Sequence, residues 1–214
     1  MAAGSKIIDL RNLLAERFPS SPLSPQAHLS TGLPTLDEAT GGGLPKGAIT
    51  ELTSPHSSGG SALMIFSLLR RAQQDRYFLA LIDGCDSFDP QPLGNSVLGH
   101  LLWVRCTKTL EAIKAADLLL RDGNFPLVVL DLVLNATDEL RKIPQTSWYR
   151  LQRLAEPGST AFLVFTRQSI ISSAQLKLGL ENAWTLRDLE RAENFERLNI
   201  RVQRVHGGRQ EVAG

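Results

Sequence analysis

The chain has 214 residues, a formal net charge of +1, 43% hydrophobic residues and 21% charged residues. This length suits one α/β domain with a small additional segment. Because the net charge is close to zero, the chain has no overall positive potential that would attract nucleic acid. Cys85 and Cys106 form neither a disulfide framework nor a metal-ligand spacing, so we expect a reducing cytoplasm and no metal or other cofactor. No apolar run approaches the ~18 residues of a membrane span, and we expect no membrane contact.

The first predicted element is an amphipathic N-terminal helix within residues 1–18. Ile7, Leu10 and Leu14 fall at helical spacing, with charged residues between them. Residues 19–27 are rich in proline and serine and predict a linker. The helix either docks on its own domain or detaches to contact a partner, and its three apolar residues are candidate contacts.

After the linker, strand and helix patterns alternate along a predicted core over residues 28–208, and a flexible tail is predicted over residues 209–214. Alternation of this kind predicts an α/β fold with a mostly parallel sheet flanked by helices. Strands are predicted over residues 48–52, 77–82, 101–104, 127–132, 160–165, 184–188 and 198–205. Helices are predicted over residues 62–73, 109–121 and 147–155.

A glycine-rich loop follows the first predicted strand of the core and resembles a phosphate-binding loop without its lysine. The consensus G-x-x-x-x-G-K-[S/T] begins with glycine and has lysine in seventh place. Here those two places hold Ser54 and Gly60, whereas the second glycine, Gly59, and the hydroxyl residue, Ser61, are kept. Backbone N–H groups around Ser58 can still bind an anion. The missing charged contact costs on the order of 1.5–3 kcal/mol of binding.

Polar residues follow three later predicted strands. Cys85 lies in the segment after the strand at 77–82, Asp131 ends the apolar run of 127–130, and Gln168 follows the strand at 160–165. Because the carboxyl ends of parallel strands meet at one edge of a sheet, these residues are expected beside the glycine-rich loop.

The order of these segments strongly resembles the RecA recombinase family over roughly residues 28–170. The resemblance is carried by residues 28–37, HLSTGLPTLD, and residues 41–47, GGGLPKG, which run into the strand before the loop. It implies a RecA-like P-loop core.

The resemblance also assigns roles to the site residues. Gly60 replaces the lysine of the family's loop, and Cys85 stands where the family has the glutamate that activates water. Ser61 matches the Mg²⁺ hydroxyl, Asp131 the Walker B aspartate, and Gln168 the γ-phosphate sensor. Because the lysine of the loop and the glutamate that activates water are both replaced, we expect a degenerate nucleotide site and no enzymatic activity.

The C-terminal part is similar to a narrower group, the ImuA proteins, through residues 184–189 and 198–208. This resemblance implies a non-catalytic, nucleoid-associated cytoplasmic subunit for damage-induced translesion DNA synthesis. Its implied partners are an ImuB-type Y-family polymerase homologue, RecA and an error-prone replicative polymerase.

Residues 141–180 hold six basic residues and one acidic residue. This excess is either a solvated face or a contact surface for an acidic partner or, weakly, for single-stranded DNA. The candidate contacts are Arg150, Arg153 and Arg167. Three alternative functions stay open: a SulA-like inhibitor of cell division, a weak ATPase, and a DNA-binding RecA homologue without catalysis.

Overall fold

The structure, a computed structural model, describes residues 27–56, 60–182 and 198–205. At its start, strands β1 (His28–Leu29) and β2 (Leu44–Pro45) form a small antiparallel sheet, with helix α1 (Pro34–Ala39) between them. Asp37 on α1 accepts hydrogen bonds from the backbone N–H (2.9 Å) and the hydroxyl (2.7 Å) of Thr31. These bonds fix the loop that leads into the main domain.

A seven-stranded sheet forms the centre of the described domain. Its strands in chain order are β3 (Ile49–Thr53), β4 (Leu79–Asp83), β5 (Leu101–Arg105), β6 (Leu127–Asp131), β7 (Ala161–Thr166), β8 (Leu176–Leu180) and β9 (Ile200–Val205). Their order across the sheet is β5-β4-β6-β7-β3-β8-β9. Every neighbouring pair is parallel except β8 and β9, which are antiparallel. The expected α/β class with a mostly parallel sheet is confirmed.

Helices cover both faces of the sheet. The longer ones are α2 (Ser61–Gln74), α4 (Thr109–Asp122) and α6 (Gln145–Ala155), and the short ones are α3 (Asn95–Leu98) and α5 (Thr137–Arg141). One apolar core packs α2 against the sheet through Met64, Leu68 and Leu69. A second core packs α4 and α6 against the opposite face and contains Trp148 and Leu151. The central strands are buried on both sides, which explains their continuous apolar runs.

Two features of the fold differ from the sequence prediction. Strand β8 was not predicted, because Lys177 and Gly179 interrupt its apolar pattern. On α4, Leu110, Ile113, Leu118 and Leu120 fall at mostly helical spacing in the sequence, which predicts one apolar face, yet Leu110 and Leu118 are 65% and 68% exposed. The buried face of α4 consists of Thr109, Ala112, Ala116 and Leu120, and its two alanines allow the helix to lie close to the sheet.

Some predicted elements lie outside the described residues. They are the helix over residues 5–18, the strand over residues 184–188, the linker up to residue 26 and the tail over residues 209–214. In the described part of the chain, no helix combines the length and apolar character needed to cross a bilayer.

Candidate functional site

The carboxyl ends of the central strands meet at one edge of the sheet. Thr53 at the end of β3 pairs with Thr166 at the end of β7, and Asp83 at the end of β4 pairs with Asp131 at the end of β6. The backbone N–H of Ser54 donates to the carbonyl of Thr166 (2.8 Å), which closes this edge. The residues predicted to follow these strands therefore emerge along a single edge.

A cleft of about 190 Å³ lies at this edge, beside the first turns of α2. It brings together Ser61, the first residue of α2, and Asp131, as the sequence predicts. The other lining residues are Ala62, Ile65, Phe66, Ser87, Phe88, Asp89, Val133 and Leu134. None of the described residues that line the cleft is a lysine or an arginine.

Gly60 precedes α2 in a left-handed backbone conformation, with a φ of 95°. A residue with a side chain is strained in that conformation, so the position is adapted to glycine rather than to the lysine of the consensus. Ser54 is buried, and its hydroxyl donates to the carbonyl of His56 (3.0 Å) within the loop. Ser58 and Gly59 lie outside the described residues.

Lys46 precedes the loop in the sequence, but it lies at the opposite edge of the sheet. Its backbone N–H donates to the carbonyl of Ala27 (2.9 Å), before β3 begins. The five residues of β3 then span ~16 Å before the loop. Lys46 therefore does not take the place of the missing lysine.

Asp131 is the titratable group most altered by this environment. The pKa of its carboxyl group is raised to about 6. Burial is the main cause, a hydrogen bond from the backbone N–H of Val133 opposes it, and the nearby carboxylate of Asp83 adds to the rise. That bond is 3.0 Å long and reaches Oδ1 of Asp131. The effect of burial therefore outweighs the one hydrogen bond that favours the ionised carboxylate.

Asp83 organises the loop that follows β4. Its buried carboxylate accepts the backbone N–H groups of Ser87 and Phe88, both at 2.8 Å, and the indole N–H of Trp103 (3.3 Å). The backbone N–H of Cys85 donates to the same carboxylate (3.3 Å). The sequence placed Asp83 in this segment but gave it no role, because an aspartate that ends a strand has no distinguishing pattern.

No general base occupies the position of Cys85. Cys85 is exposed, and it is not among the described residues that line the cleft. The neighbouring Asp86 forms a two-point ion pair with Arg105 (2.5 and 2.8 Å), and this hydrogen bonding lowers the pKa of Asp86. Arg105 in turn lies 4.8 Å from the ring centre of Trp103, on edge strand β5. The carboxylate of Asp86 is therefore paired with the side chain of Arg105 on β5.

Gln168 is exposed just beyond β7 and is not among the cleft-lining residues. The segment after it is fixed by Glu51, a fully buried residue on β3. The Glu51 carboxylate accepts the hydroxyl of Ser169 (2.8 Å) and the backbone N–H groups of Ile170 (2.7 Å) and Ile171 (3.0 Å). Lys177 on β8 completes the cluster with an ion pair to Glu51 of 2.9 Å.

Sequence reasoning missed this cluster. The available signal was a glutamate inside a short, otherwise uncharged strand, since a buried carboxylate requires a partner. The cluster holds the chain after Gln168 through contacts made entirely by the protein.

The predicted basic residues do not form one surface. Arg150 on α6 forms an ion pair with Asp117 on α4 (2.8 Å), and Nε of Arg167 donates to the carbonyl of Val133 (3.0 Å). Arg153 is exposed in the last turn of α6, next to Gln152, which binds the backbone N–H of Ile49 (3.0 Å) at the start of β3. Arg153 therefore lies at the sheet edge opposite to Arg167.

The remaining candidates, Ile7, Leu10 and Leu14, lie outside the described residues. Within the described ranges, no group of three or more histidine, cysteine, aspartate or glutamate side chains is arranged to hold a metal ion. The cleft thus brings the hydroxyl group of Ser61 and the carboxyl group of Asp131 together beside largely apolar walls.

This sheet order, with a glycine-rich loop between β3 and α2 and an aspartate at the end of β6, defines the class as a P-loop-type α/β fold. The family profile of the RecA N-terminal domain matches residues 22–142, more than half of the chain. The protein therefore belongs to the RecA family.

Among its relatives, Protein RecA of Clavibacter michiganensis subsp. michiganensis is 36% identical over 121 residues, which cover 55% of this chain and 33% of the relative. Protein RecA of Acinetobacter baumannii is 38% identical over 113 residues (51% and 32%), and that of Dichelobacter nodosus is 40% identical over 114 residues (51% and 32%). The chain spans about a third of the length of these relatives.

Proposed function

We propose that this RecA-family chain is a non-catalytic accessory subunit of a damage-induced translesion synthesis complex. Its partners in this proposal are an ImuB-type Y-family polymerase homologue and RecA, together with an error-prone replicative polymerase. The chain contributes a folded scaffold with contact surfaces, and the site at the carboxyl edge of the sheet is a relic of a nucleotide site. The C-terminal similarity to ImuA proteins supports this choice of complex.

The observation that carries the proposal is the conformation of Gly60 at the lysine position. Its φ of 95° disfavours a side chain, and the described walls of the adjoining cleft provide no basic side chain in its place. A γ-phosphate in transfer needs such a cation together with Mg²⁺.

The absence of a positioned base supports the same conclusion. A general base contributes roughly 10²- to 10⁴-fold in rate. Cys85 holds the family's base position, and Asp86 is bound to Arg105. The Glu51–Lys177 cluster holds the segment after Gln168 through an ion pair and backbone hydrogen bonds.

The test is affinity capture of the full chain from cells with and without DNA damage, followed by identification of the captured proteins. Recovery of RecA and a Y-family polymerase homologue, enhanced after damage, is the expected result. Capture of a tubulin-like division protein would instead favour the SulA-like alternative. Capture of no replication factor would contradict the proposal.

A further inference from the structure

Helices α4 and α6 enclose an open groove of about 340 Å³ on the face of the sheet opposite α2. We call it the α4–α6 groove. Its lining includes Ile113, Lys114, Asp117, Leu118, Arg150 and Leu151. It is separate from the cleft at the carboxyl edge, with which it shares no lining residue.

Helix α4 exposes two large apolar side chains, and one of them, Leu118, lines the groove. Leu110 and Leu118 are 65% and 68% exposed, and they lie eight residues apart on α4, about 12 Å along the helix axis. Lys114 stands between them at intervals of four residues, so apolar and basic side chains alternate along one ridge of the helix. A partner helix that repeats apolar residues every seven positions matches this distance within about 2 Å.

The charges around the groove select the kind of partner. Asp117 is bound both by Arg121 (2.8 Å) and by Arg150 (2.8 Å), so one carboxylate is shared by two guanidinium groups. These arginine side chains remain 53% and 61% exposed, and the exposed Lys114 adds a third positive charge. The nearby Glu111 accepts the backbone N–H of Thr107 (3.4 Å) at the start of α4. The rim is therefore positive around an apolar floor.

We propose that the α4–α6 groove binds an acidic amphipathic helix of a partner protein. Leucine-sized side chains of that helix cover Leu110 and Leu118, and its flanking carboxylates pair with Lys114 and Arg150. This inference rests on the proposed function for the premise that the chain acts through protein partners. It assigns Arg150 to protein recognition rather than to single-stranded DNA.

The probe is a fluorescent synthetic helix of about 18 residues, or about five turns, with leucines on one face and glutamates on the other. Two control peptides carry lysine in place of every glutamate, or serine in place of every leucine. Binding to the full chain is measured by fluorescence anisotropy at low and high salt. The glutamate peptide is expected to bind roughly tenfold more tightly than either control, and added salt is expected to weaken it.

Two variants of the chain test the two parts of the groove. Leu110→Ser with Leu118→Ser is expected to weaken binding of the glutamate peptide roughly tenfold. The control variant Val205→Ser, which removes an exposed apolar side chain on β9 outside both cavities, is expected to leave binding unchanged. Lys114→Glu with Arg150→Glu is expected to reverse the preference, so that the lysine peptide now binds better. Lys142→Glu, an exposed lysine outside the groove lining, is the charge control.

Equal affinity for the glutamate and lysine peptides, or a charge-reversed variant without reversed preference, would overturn the proposal. A change in the oligomeric state of the full chain caused by Leu110→Ser with Leu118→Ser would identify a second copy as the occupant and overturn it as well. If both groove variants still capture the polymerase homologue from damaged cells as wild type does, the groove inference fails and the proposed function stands. If wild type captures none, the proposed function fails.

Discussion

At the scale of single residues, a buried charged group is stable in this fold where other groups form hydrogen bonds or ion pairs with it. Glu51 is fully buried and meets four donors, from Ser169, Ile170, Ile171 and Lys177. Asp131 accepts one backbone N–H, from Val133, and its pKa is raised to about 6. Removal of the charge is therefore expected to destabilise the protein at Glu51 and to stabilise it at Asp131.

Glu51→Gln is expected to lower the free energy of unfolding by about 3–5 kcal/mol, because it leaves Lys177 without its buried counter-charge. The Lys177 side chain is only 14% exposed. Urea denaturation at neutral pH measures the change. Glu181→Gln is the control, since it removes an exposed pair with Arg201 (3.7 Å) and should cost less than about 0.5 kcal/mol. Equal losses in the two variants would disprove the structural role of Glu51.

Asp131→Asn is expected to stabilise the protein above pH 6. The folded-state pKa of about 6 exceeds the ordinary value of 3.8, so the folded protein holds this proton more tightly than the unfolded chain. The aspartate therefore destabilises increasingly as pH rises from 4 to 6. We predict a gain of roughly 1–3 kcal/mol at pH 7.5 for the asparagine variant, vanishing near pH 4. Denaturation across this pH range checks it, and a pH-independent difference would contradict the burial of this carboxyl group.

Gly60→Lys is expected to leave ATP hydrolysis at background. The φ of 95° at this position strains any side chain, and Cys85 still holds the place of the base. Phosphate release by the purified variant, with Gly60→Lys and Cys85→Glu combined as a second variant, measures the result. Turnover restored by the single substitution would mean that the loss of lysine alone silenced the site.

At the scale of elements, the joint between β4 and β6 depends on close packing behind Cys85. The side-chain amide of Asn135 donates to the carbonyl of Gly84 (2.8 Å) and to the hydroxyl of Thr109 (3.0 Å) on α4. Thr109 in turn donates to Glu139 on α5 (2.7 Å). This chain of hydrogen bonds ties the exit of β4 to two helices.

Gly84→Ala is expected to destabilise the protein by about 1–3 kcal/mol through overpacking of this joint. An added Cβ would lie 2.5 Å from Oδ1 of Asn135 and 2.7 Å from the backbone carbonyl oxygen of Asp131. Relief of the second contact requires the backbone to move, which costs free energy. Gly94→Ala is the control, because its Cβ would meet only the Ser96 hydroxyl at 3.9 Å. Thermal unfolding of both variants measures the difference, and similar melting temperatures would refute the predicted clash.

The same scale explains which elements the sequence could predict. The apolar runs of β4, β6 and β7 were identifiable because both faces of a central parallel strand are buried. Strand β8 was not predicted because Lys177 is stabilised by Glu51, which lies 126 positions earlier in the chain. No local sequence pattern reveals that pairing. The exposure of Leu110 and Leu118 escaped because helical spacing identifies an apolar stripe without saying which stripe faces the sheet.

The candidate site was predicted in part for the same reasons. Ser61 and Asp131 share the cleft because each follows or ends a strand at the same sheet edge. The exposure of Gln168, the pairing of Asp86 with Arg105 and the role of Asp83 depend on side-chain directions in loops, which short motifs do not specify.

At the scale of the whole molecule, the described domain combines a RecA-type sheet with two separate cavities. The cleft at the carboxyl edge lies beside α2, and the α4–α6 groove lies on the other face of the sheet. Because the segment after Gln168 is held by Glu51 and Lys177, we expect partner binding to be independent of nucleotide.

The most direct test of this account is calorimetric titration of the full chain with the purified ImuB-type polymerase homologue, in the presence and absence of ATP and Mg²⁺. We predict the same Kd under both conditions and no phosphate release. A Kd that changes tenfold or more with ATP, a coupling of about 1.4 kcal/mol, would contradict the central claim that this RecA-family chain works as a nucleotide-independent scaffold.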